Sequence, residues 1–214
     1  MWGQKDTMDL GHPINSIAPP LVGRALEVLG GTVRPLSGRE IGRIIGEGSP
    51  NGVWKALRRL EQQGLVIADH RAGATYYVAN REHLAWPAVE TLARLRVDLT
   101  ERLGRELERW EIAPLHASIF GSMARGDADA DSDVDLLLIR PEGLEAAQSD
   151  AWDAQVGDLQ EAVWRWTGNR CQAFVIDPPR LAEHVRANDP LVRAWLEDGV
   201  LLAGRPIRRL VEEI

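Results

Sequence analysis

The stretch Phe120-Gly121-Ser122-Met123-Ala124-Arg125-Gly126-Asp127, continuing through Ala130-Asp131-Ser132-Asp133-Val134-Asp135-Leu136, decides how this chain is interpreted. An apolar run at 115–120 leads into it and a second run, Val134–Ile139, ends it, and both have the length and composition of buried strands. Residues two apart on a strand face the same side of the sheet. Asp133 and Asp135 are therefore expected to present neighbouring carboxylates.

Gly121 and Ser122 stand where the first of these strands gives way to a short predicted helix. Glycine allows a ligand to approach the backbone closely. Ser122 is expected to cap the helix, whose free N–H groups suit a phosphate. The neighbouring carboxylates are hard oxygen ligands of the kind that Mg²⁺ or Mn²⁺ prefers. The pattern therefore predicts a nucleoside triphosphate and a divalent metal held next to an attacking hydroxyl.

This stretch resembles the signature of the DNA polymerase β-like nucleotidyltransferase superfamily, in which Gly-Ser is followed after ten residues by Asp-x-Asp. It is most similar to the minimal nucleotidyltransferase branch, where Ala-Arg-Gly follows Gly-Ser and Ser precedes the first Asp. The resemblance implies that Gly121 and Ser122 hold the triphosphate, and that Asp133 and Asp135 bind metal and carry catalysis. Arg125 either contacts phosphate or pairs with the nearby acids.

One position departs from the superfamily pattern, which usually has a third metal-binding carboxylate on a later strand. That strand is expected at Cys171–Ile176, and the neutral amide Gln172 stands in the aligned place. Asp177 would face the opposite side of a regular strand and is expected to cap the next helix. Asp158 or Glu161 could substitute, although no spacing requires it. The domain then transfers nucleotides with two carboxylates, recruits another acid, or binds a nucleotide without turning it over.

Residues 20–84 predict three helices followed by a hairpin, an order that resembles a winged helix-turn-helix domain. In that fold the last helix, here 50–63, enters the major groove of DNA and the hairpin, here 67–78, contacts the DNA backbone. Trp54, next to the apolar stripe of the last helix, is expected to pack in the core. The alternative is a winged helix that contacts protein and carries its arginines as solvated surface. The candidates for DNA contact are Asn51, Lys55, Arg58, Arg59 and Arg71.

The expected fold is an α+β or α/β chain of two domains. A flexible arm, 1–19, precedes the winged helix-turn-helix domain, 20–86. A connector helix, 87–111, leads into a nucleotidyltransferase-like domain with a small mixed sheet, 112–214. A homodimer on a palindromic DNA site is compatible with this architecture, although no residue pattern encodes it.

Charge and composition limit the surroundings of the chain. The 214 residues carry a net charge of −7, but residues 1–86 carry 10 Lys and Arg against 8 Asp and Glu, whereas residues 87–214 carry 15 against 24. The near-neutral first part is compatible with a DNA reader. The single Cys171 excludes an intrachain disulfide and a zinc site of several cysteines. With neither a membrane span nor a secretory signal in the sequence, a reducing cytoplasm is expected.

The functional hypothesis is Mg²⁺-dependent or Mn²⁺-dependent transfer of a nucleotidyl group from a nucleoside triphosphate to a hydroxyl on RNA, protein or a small molecule. The winged helix would couple this activity to DNA. Members of the branch that the motif resembles are often halves of toxin–antitoxin modules, which suggests a macromolecular acceptor or a toxin-like protein partner. The alternative is a transcriptional regulator or antitoxin-like module whose nucleotidyltransferase domain binds a nucleotide or a partner without catalysis.

Overall fold

The structure is a computed structural model that describes residues 7–71 and 73–214. The chain divides into two compact units, which are described separately. The N-terminal unit is His12–Arg96. The C-terminal unit is Val97–Ile214 together with the described residues up to Gly11.

The N-terminal unit contains three helices and a three-stranded antiparallel sheet in the order β1-β3-β2. A short 3-10 helix, Pro13–Ser16, precedes them. The elements are α1 (Pro20–Gly30), β1 (Leu36–Ser37), α2 (Gly38–Ile45), α3 (Pro50–Gln62), β2 (Val66–Arg71) and β3 (Ala74–Ala79). The predicted turn between the last two strands includes Ala72, which lies outside the described residues. That this unit is a winged helix-turn-helix domain stays a prediction.

Local capping chemistry sets where α2 and α3 begin. Ser37 and Glu40 form a reciprocal capping box, in which the Ser37 N–H donates to Glu40 Oε2 at 2.8 Å and the Glu40 N–H donates to Ser37 Oγ. These hydrogen bonds lower the pKa of the Glu40 carboxyl to about 2. Ser49 accepts from the Gly52 N–H, and Pro50 fills the first helical position, where no N–H is needed. Residues within three positions of each helix start therefore fix where the two helices begin.

The C-terminal unit is built around a mixed sheet in the order β6-β5-β4-β7, in which only the β5–β6 pair is parallel. The helix α4 (Trp86–Leu107) begins in the N-terminal unit and ends in this one. The other elements are β4 (His116–Phe120), α5 (Gly121–Arg125), β5 (Val134–Ile139), α6 (Ala146–Thr167), β6 (Cys171–Ile176), α7 (Pro178–Arg186), α8 (Pro190–Glu197), β7 (Val200–Gly204) and α9 (Ile207–Glu212). The α+β class with a small mixed sheet is as predicted.

Helices cover both faces of this sheet, so its central strands are apolar on both sides. Leu136 and Leu138 of β5 pack in the same cluster as the buried residues of α6. Leu137 and Ile139 pack in a second cluster with α7, α8 and α9. Side chains alternate along a strand, so Asp135 lies on the α7–α8 side, two residues before Leu137.

The division between the units falls within α4 and not at a linker. Trp86 and Val89 belong to the core of the N-terminal unit, whereas Leu99, Leu103 and Leu107 belong to the core of the C-terminal unit. One amphipathic helix therefore supplies apolar residues to both cores. The predicted boundary near residue 112 follows the end of the helical period, whereas the compact unit already begins at Val97.

The predicted flexible arm, 1–19, differs from the structure over the described residues 7–19. Leu10 is 1% exposed and packs in the core of the C-terminal unit. The Met8 N–H donates to the Thr167 carbonyl oxygen at 2.9 Å. Ile14 is equally buried in the core of the N-terminal unit. Isolated apolar residues without a period give no sequence signal, because partners distant in the chain bury them.

None of the helices in the described part of the chain combines the length and the apolar character of a membrane span.

The packing of Leu10 predicts that Leu10→Ala destabilises the protein by about 2–4 kcal/mol, because it leaves a cavity in the core. Ile17, also in the predicted arm, is 71% exposed, so Ile17→Ala is expected to change stability by less than about 0.5 kcal/mol. Urea unfolding of both variants measures the difference. If the two variants were equally stable, the Leu10 side chain would not contribute to the core, and the prediction of a flexible arm would hold.

Candidate active site

In the Gly-Ser motif, the backbone at Gly121 lies directly beside the Asp135 carboxylate. Phe120, the last residue of β4, pairs directly with Asp135 of β5, so the chain turns into α5 beside that carboxylate. Gly121 has a φ of +72°, and a Cβ built on it would lie 2.6 Å from Asp135 Oδ2. Both the backbone conformation and the space therefore require glycine at this position.

Asp133 and Asp135 interact electrostatically, and both are partly exposed. Burial raises the pKa of the Asp135 carboxyl and the charge of Asp133 raises it further, whereas the charge of Arg125 lowers it. Two carboxylates that repel each other gain most from a shared cation. Burial raises the pKa of the Cys171 thiol to about 12, and the charges of the same two acids contribute to this rise. Cys171 is therefore a protonated, buried thiol and not a nucleophile.

Gln172 occupies the place opposite Asp135 on the neighbouring strand. The parallel β5–β6 pairing sets Asp135 against Gln172, so the two side chains share a face of the sheet. Gln172 is exposed. Among residues 7–71 and 73–214, no group of three or more His, Cys, Asp or Glu side chains is arranged to hold a metal ion. Two carboxylates and a neutral amide thus make up the local donor set.

The other acids proposed as a third carboxylate have different places. Asp158 and Glu161 lie on α6, which packs on the opposite face of the sheet from Asp135. Glu161 also accepts a hydrogen bond from Arg165 at 2.8 Å. Asp177 caps α7 by accepting from the Arg180 N–H, as predicted. None of the three reaches the Asp133–Asp135 pair by its place in the fold.

Ser122 does not cap α5. The N-cap residue is Phe120, and its side chain accepts no hydrogen bond. Ser122 lies in the first turn, and its carbonyl oxygen accepts from the N–H groups of Gly126 and Asp127. The sequence interpretation was wrong here because Gly121, with its positive φ, already starts the helix. The Ser122 hydroxyl has no hydrogen-bond partner in the described part of the chain, so it is available to a ligand.

Arg125 ends α5 and pairs with two acids, one of the two alternatives that the sequence left open. Its Nε–H donates to Asp127 Oδ2 at 3.2 Å and its Nη1–H donates to Asp198 Oδ2 at 2.8 Å. Both carboxylates raise the pKa of the guanidinium, which therefore stays charged. Sequence reasoning missed Asp198 because it is 73 residues away and no motif connects the two.

Asn169 is a second residue that sequence reasoning missed, and it is only 1% exposed. Its amide N–H groups donate to the carbonyl oxygens of Ser132, at 3.0 Å, and Met8, at 3.1 Å. Its carbonyl oxygen accepts from the Met8 N–H. Asn169 thus holds the residue immediately before Asp133. No local pattern indicates this role, since the side chain bonds only to backbone atoms of distant segments.

The predicted DNA-contacting residues of α3 are exposed on its surface: Asn51, Lys55, Arg58 and Arg59. The core prediction for Trp54 was wrong, since this side chain is 48% exposed and the Arg58 guanidinium lies 5.2 Å from its ring centroid. The apolar stripe of α3 is filled by Val53, Ala56, Leu57 and Leu60. Arg71 differs from the α3 cations, because it pairs with Asp69 at 2.8 Å and stacks on Tyr76.

Two further cations stand on α2, next to a cleft of about 380 Å³ that Trp54 also lines. Arg39 and Arg43 are exposed and have no ion-pair partner within residues 7–71 and 73–214. Three acids on or next to these helices are engaged elsewhere: Glu40 with Arg34, Glu47 with Arg24, and Glu61 with His70. The surface formed by α2 and α3 is therefore more basic than the charge count of the unit suggests.

The raised pKa of Asp135 predicts that Asp135→Asn stabilises the metal-free protein at pH 7. A folded-state pKa above the ordinary value of 3.8 means that the charged form costs stability, and this cost is complete above the raised pKa. The midpoint of thermal unfolding is expected to rise by about 2 °C at neutral pH. The difference from the wild type should shrink as the pH falls through the raised pKa towards 3.8.

Asp158→Asn, on the exposed side of α6, removes the same charge and is the matched control for this measurement. An equal gain in both variants would mean that lower net charge, and not the Asp133–Asp135 repulsion, is responsible.

Comparison with known proteins gives one family match and two structural neighbours. Residues 94–172 match the family model of the nucleotidyltransferase domain. A mutant of the toxin–antitoxin MntA-HpeT has 13% sequence identity, covers 53% of this chain and 81% of that chain, and has a TM-score of 0.34. A toxin–antitoxin with AMP-PNP has 18% identity, corresponding coverages of 53% and 82%, and the same TM-score. No curated protein matches the chain significantly.

TM-scores this low carry no argument about the fold or partners of this chain, so the family match is the informative finding. It includes the Gly121-Ser122 turn, both aspartates and, as its last residue, Gln172. This match supports placing the segment 94–172 in the nucleotidyltransferase superfamily.

Proposed function

We propose that the C-terminal unit transfers a nucleotidyl group from a nucleoside triphosphate to a hydroxyl acceptor. The observation that carries this proposal is the Gly121 backbone turn against the Asp135 carboxylate, with Asp133 beside it. At Gly121 the Cα has room for a hydrogen only, and two carboxylates that repel each other lie next to it. A phosphate bound together with a cation would relieve that repulsion. The nucleotidyltransferase match supports the same reading.

The donor set fits Mg²⁺ or Mn²⁺. These cations are commonly held by one or two carboxylates together with substrate phosphate oxygens, and Asp133 and Asp135 supply two carboxylates on one side of the sheet. When bound, such a cation offsets the charge of the phosphates and polarises their oxygens. Burial and the charge of Asp133 both raise the pKa of Asp135, and cation binding would relieve both penalties on its charged form.

The remaining residues orient the nucleotide. The Ser122 hydroxyl, which has no hydrogen-bond partner among the described residues, can donate to a phosphate oxygen. Arg125 brings a fixed positive charge to the same short helix. The acceptor oxygen would attack the α-phosphorus and release its proton to solvent, and the bond from that phosphorus to the bridging oxygen would break, with pyrophosphate as the leaving group. Gln172 is a neutral amide and cannot take up the acceptor proton.

The transfer predicts that protein supplied with α-labelled nucleoside triphosphates and Mg²⁺ or Mn²⁺ labels a component of total cell RNA or protein. Asp133→Asn and Asp135→Asn are each expected to lower labelling at least about 100-fold, because each removes a carboxylate that holds the metal. Asp158→Asn has the same net charge as these two variants, and we expect its fold to be unchanged. It should therefore label RNA or protein as strongly as the wild type does. Gel separation of labelled products measures the effect and identifies the acceptor class.

The alternative function is nucleotide or partner binding without transfer, as in a transcriptional regulator or an antitoxin-like module. Gln172 is the observation that favours it, since the place opposite Asp135 lacks a proton acceptor. The same assay separates the two functions. Metal-dependent binding of nucleotide without any labelled product would exclude the transferase and leave the binding module, whose partner would then be sought among proteins such as a toxin-like protein.

We propose further that the N-terminal unit is a winged helix-turn-helix that binds DNA through α3, with the β2–β3 hairpin as its wing. The surface formed by α2 and α3 supports this, because Lys55, Arg59, Arg39 and Arg43 are exposed and have no acidic partner among the described residues. Cations that the protein itself does not neutralise are available to phosphates. Arg71, which Asp69 already pairs, is expected to contribute less than the α3 cations.

The DNA proposal predicts that the double variant Arg58→Ala and Arg59→Ala binds DNA more weakly than the wild type. The DNA used is the promoter fragment upstream of the gene that encodes this protein. Loss of two phosphate contacts should reduce the slope of log affinity against log salt by about two. Electrophoretic mobility shifts over a series of salt concentrations give that slope. Arg193→Ala in α8 removes an exposed arginine that pairs with Glu197 and should leave the slope unchanged. An unchanged slope in the double variant would show that α3 is not the DNA-contacting helix.

A further inference from the structure

The contact between Arg125 and Asp198 connects the nucleotide motif to a segment outside the matched nucleotidyltransferase domain. The family match ends at residue 172, whereas Asp198 follows the last residue of α8. The Asp198 side chain is 19% exposed, compared with 46% for Arg125 and 61% for Asp127. Of the two acids that pair with Arg125, Asp198 is therefore the more buried and makes the shorter contact, at 2.8 Å against 3.2 Å.

Strand pairing explains why Asp198 stands beside α5. The strand β7 runs antiparallel to β4 and sets Val200 against Ile119. Asp198, two residues before Val200, therefore lies beyond the end of β4, where Phe120 leads into α5. Trp195, which is fully buried, packs edge-to-face against Phe120 with ring centroids 6.4 Å apart. The end of α8 is thus fixed relative to α5 by both the sheet and an aromatic contact.

The two acids leave one nitrogen of the guanidinium free. Asp127 engages Nε and Asp198 engages Nη1, and Nη2 has no partner among the described residues. A guanidinium is planar, so anchoring two of its nitrogens fixes the direction of the third. Arg125 and Ser122 are three residues apart on α5, a spacing at which side chains of a helix are neighbours. The two residues therefore lie on the same side of this short helix.

The short helix also connects Arg125 to the carboxylate site. Arg125 ends α5, and α5 begins at Gly121, where a Cβ would lie 2.6 Å from Asp135 Oδ2. An unanchored arginine would lose side-chain entropy on being fixed by a ligand. Holding the side chain in advance removes part of that cost. The positive charge of Arg125, which Asp198 contacts at 2.8 Å, offsets the repulsion between Asp198 and a phosphate.

We propose that Asp198 is a positioning residue that orients Arg125 towards the phosphates of a bound nucleoside triphosphate. This inference rests on the proposed nucleotide site, which it deepens by adding a residue from the α8–β7 connection. Asp198 acts only through Arg125 and does not touch the nucleotide. Its contribution is therefore absent when Arg125 is absent.

The test is a double-mutant cycle on nucleotide binding, with ATP, GTP, CTP and UTP titrated in turn into the full chain in the presence of Mg²⁺. Arg125→Ala is expected to weaken binding of the preferred triphosphate about 10-fold, through loss of a charge-assisted hydrogen bond. Asp198→Ala is expected to weaken it about 3-fold to 10-fold. The double variant should bind as Arg125→Ala does, because Asp198 has no further role. Isothermal titration calorimetry gives the dissociation constants.

Controls separate positioning from stability. An exposed ion pair contributes little to folding, so Asp198→Ala should shift the midpoint of thermal unfolding by less than about 3 °C. Asp198→Asn keeps a hydrogen-bond acceptor without the charge and should give an intermediate affinity. Glu197→Ala, the neighbouring exposed acid that pairs with Arg193, should bind like the wild type.

Independent, multiplicative losses in the double variant would overturn the positioning role, as would unchanged or tighter binding by Asp198→Ala. Wild-type protein that binds triphosphate while Arg125→Ala binds equally well would also overturn it, and the proposed function would stand. Wild-type protein that binds none of the four triphosphates with Mg²⁺ or Mn²⁺ would overturn the proposed function and this inference together.

Discussion

The pairing of β4 with β5 is the constraint on which the candidate site depends. It sets Phe120 against Asp135, so the chain leaves the sheet at Gly121 directly beside a carboxylate. Only a residue without a Cβ fits there, because a Cβ would lie 2.6 Å from Asp135 Oδ2 and the backbone has a positive φ. The position of α5, and with it Ser122 and Arg125, follows from this turn. A one-residue shift in the register would turn the carboxylate to the opposite face.

The places where charges lie in this protein are more informative than its net charge. The net charge of −7 hides a basic surface on α2 and α3, whose cations have no acidic partner among residues 7–71 and 73–214, and an acidic site in the C-terminal unit. In that site Asp133 raises the pKa of Asp135, while Asp127 and Asp198 hold the one arginine of the motif. Unfavourable electrostatics in a folded protein is the pattern expected where a cation or substrate completes the site.

Gln172 limits what the site can do alone. Its place opposite Asp135 is fixed by the parallel β5–β6 register, so it faces any ligand that the two aspartates hold. An amide can orient such a ligand by hydrogen bonds but cannot accept a proton from it. A transferase built this way depends on the positioning of nucleotide and acceptor, and on the cation, for its rate. A binding module with the same residues would need nothing more.

The sequence by itself determined the features that local chemistry controls. Ser37, Ser49 and Asp177 each cap a helix by accepting from a backbone N–H a few residues further on, and for Asp177 the sequence predicts this role. The mixed α+β fold of the C-terminal unit also follows from the order of apolar runs. These features depend on residues within a few positions of one another, where helix and strand periods are reliable.

Only the tertiary structure decided the contacts that join distant segments. Asp198 reaches Arg125 because β7 pairs with β4, and the Asn169 side-chain amide supports Ser132 by donating to its carbonyl oxygen. Leu10 is buried although its neighbours carry no period, while Trp54 stays half exposed beside an apolar stripe. Burial and pairing depend on which surfaces meet after folding, and no spacing along the chain records that choice.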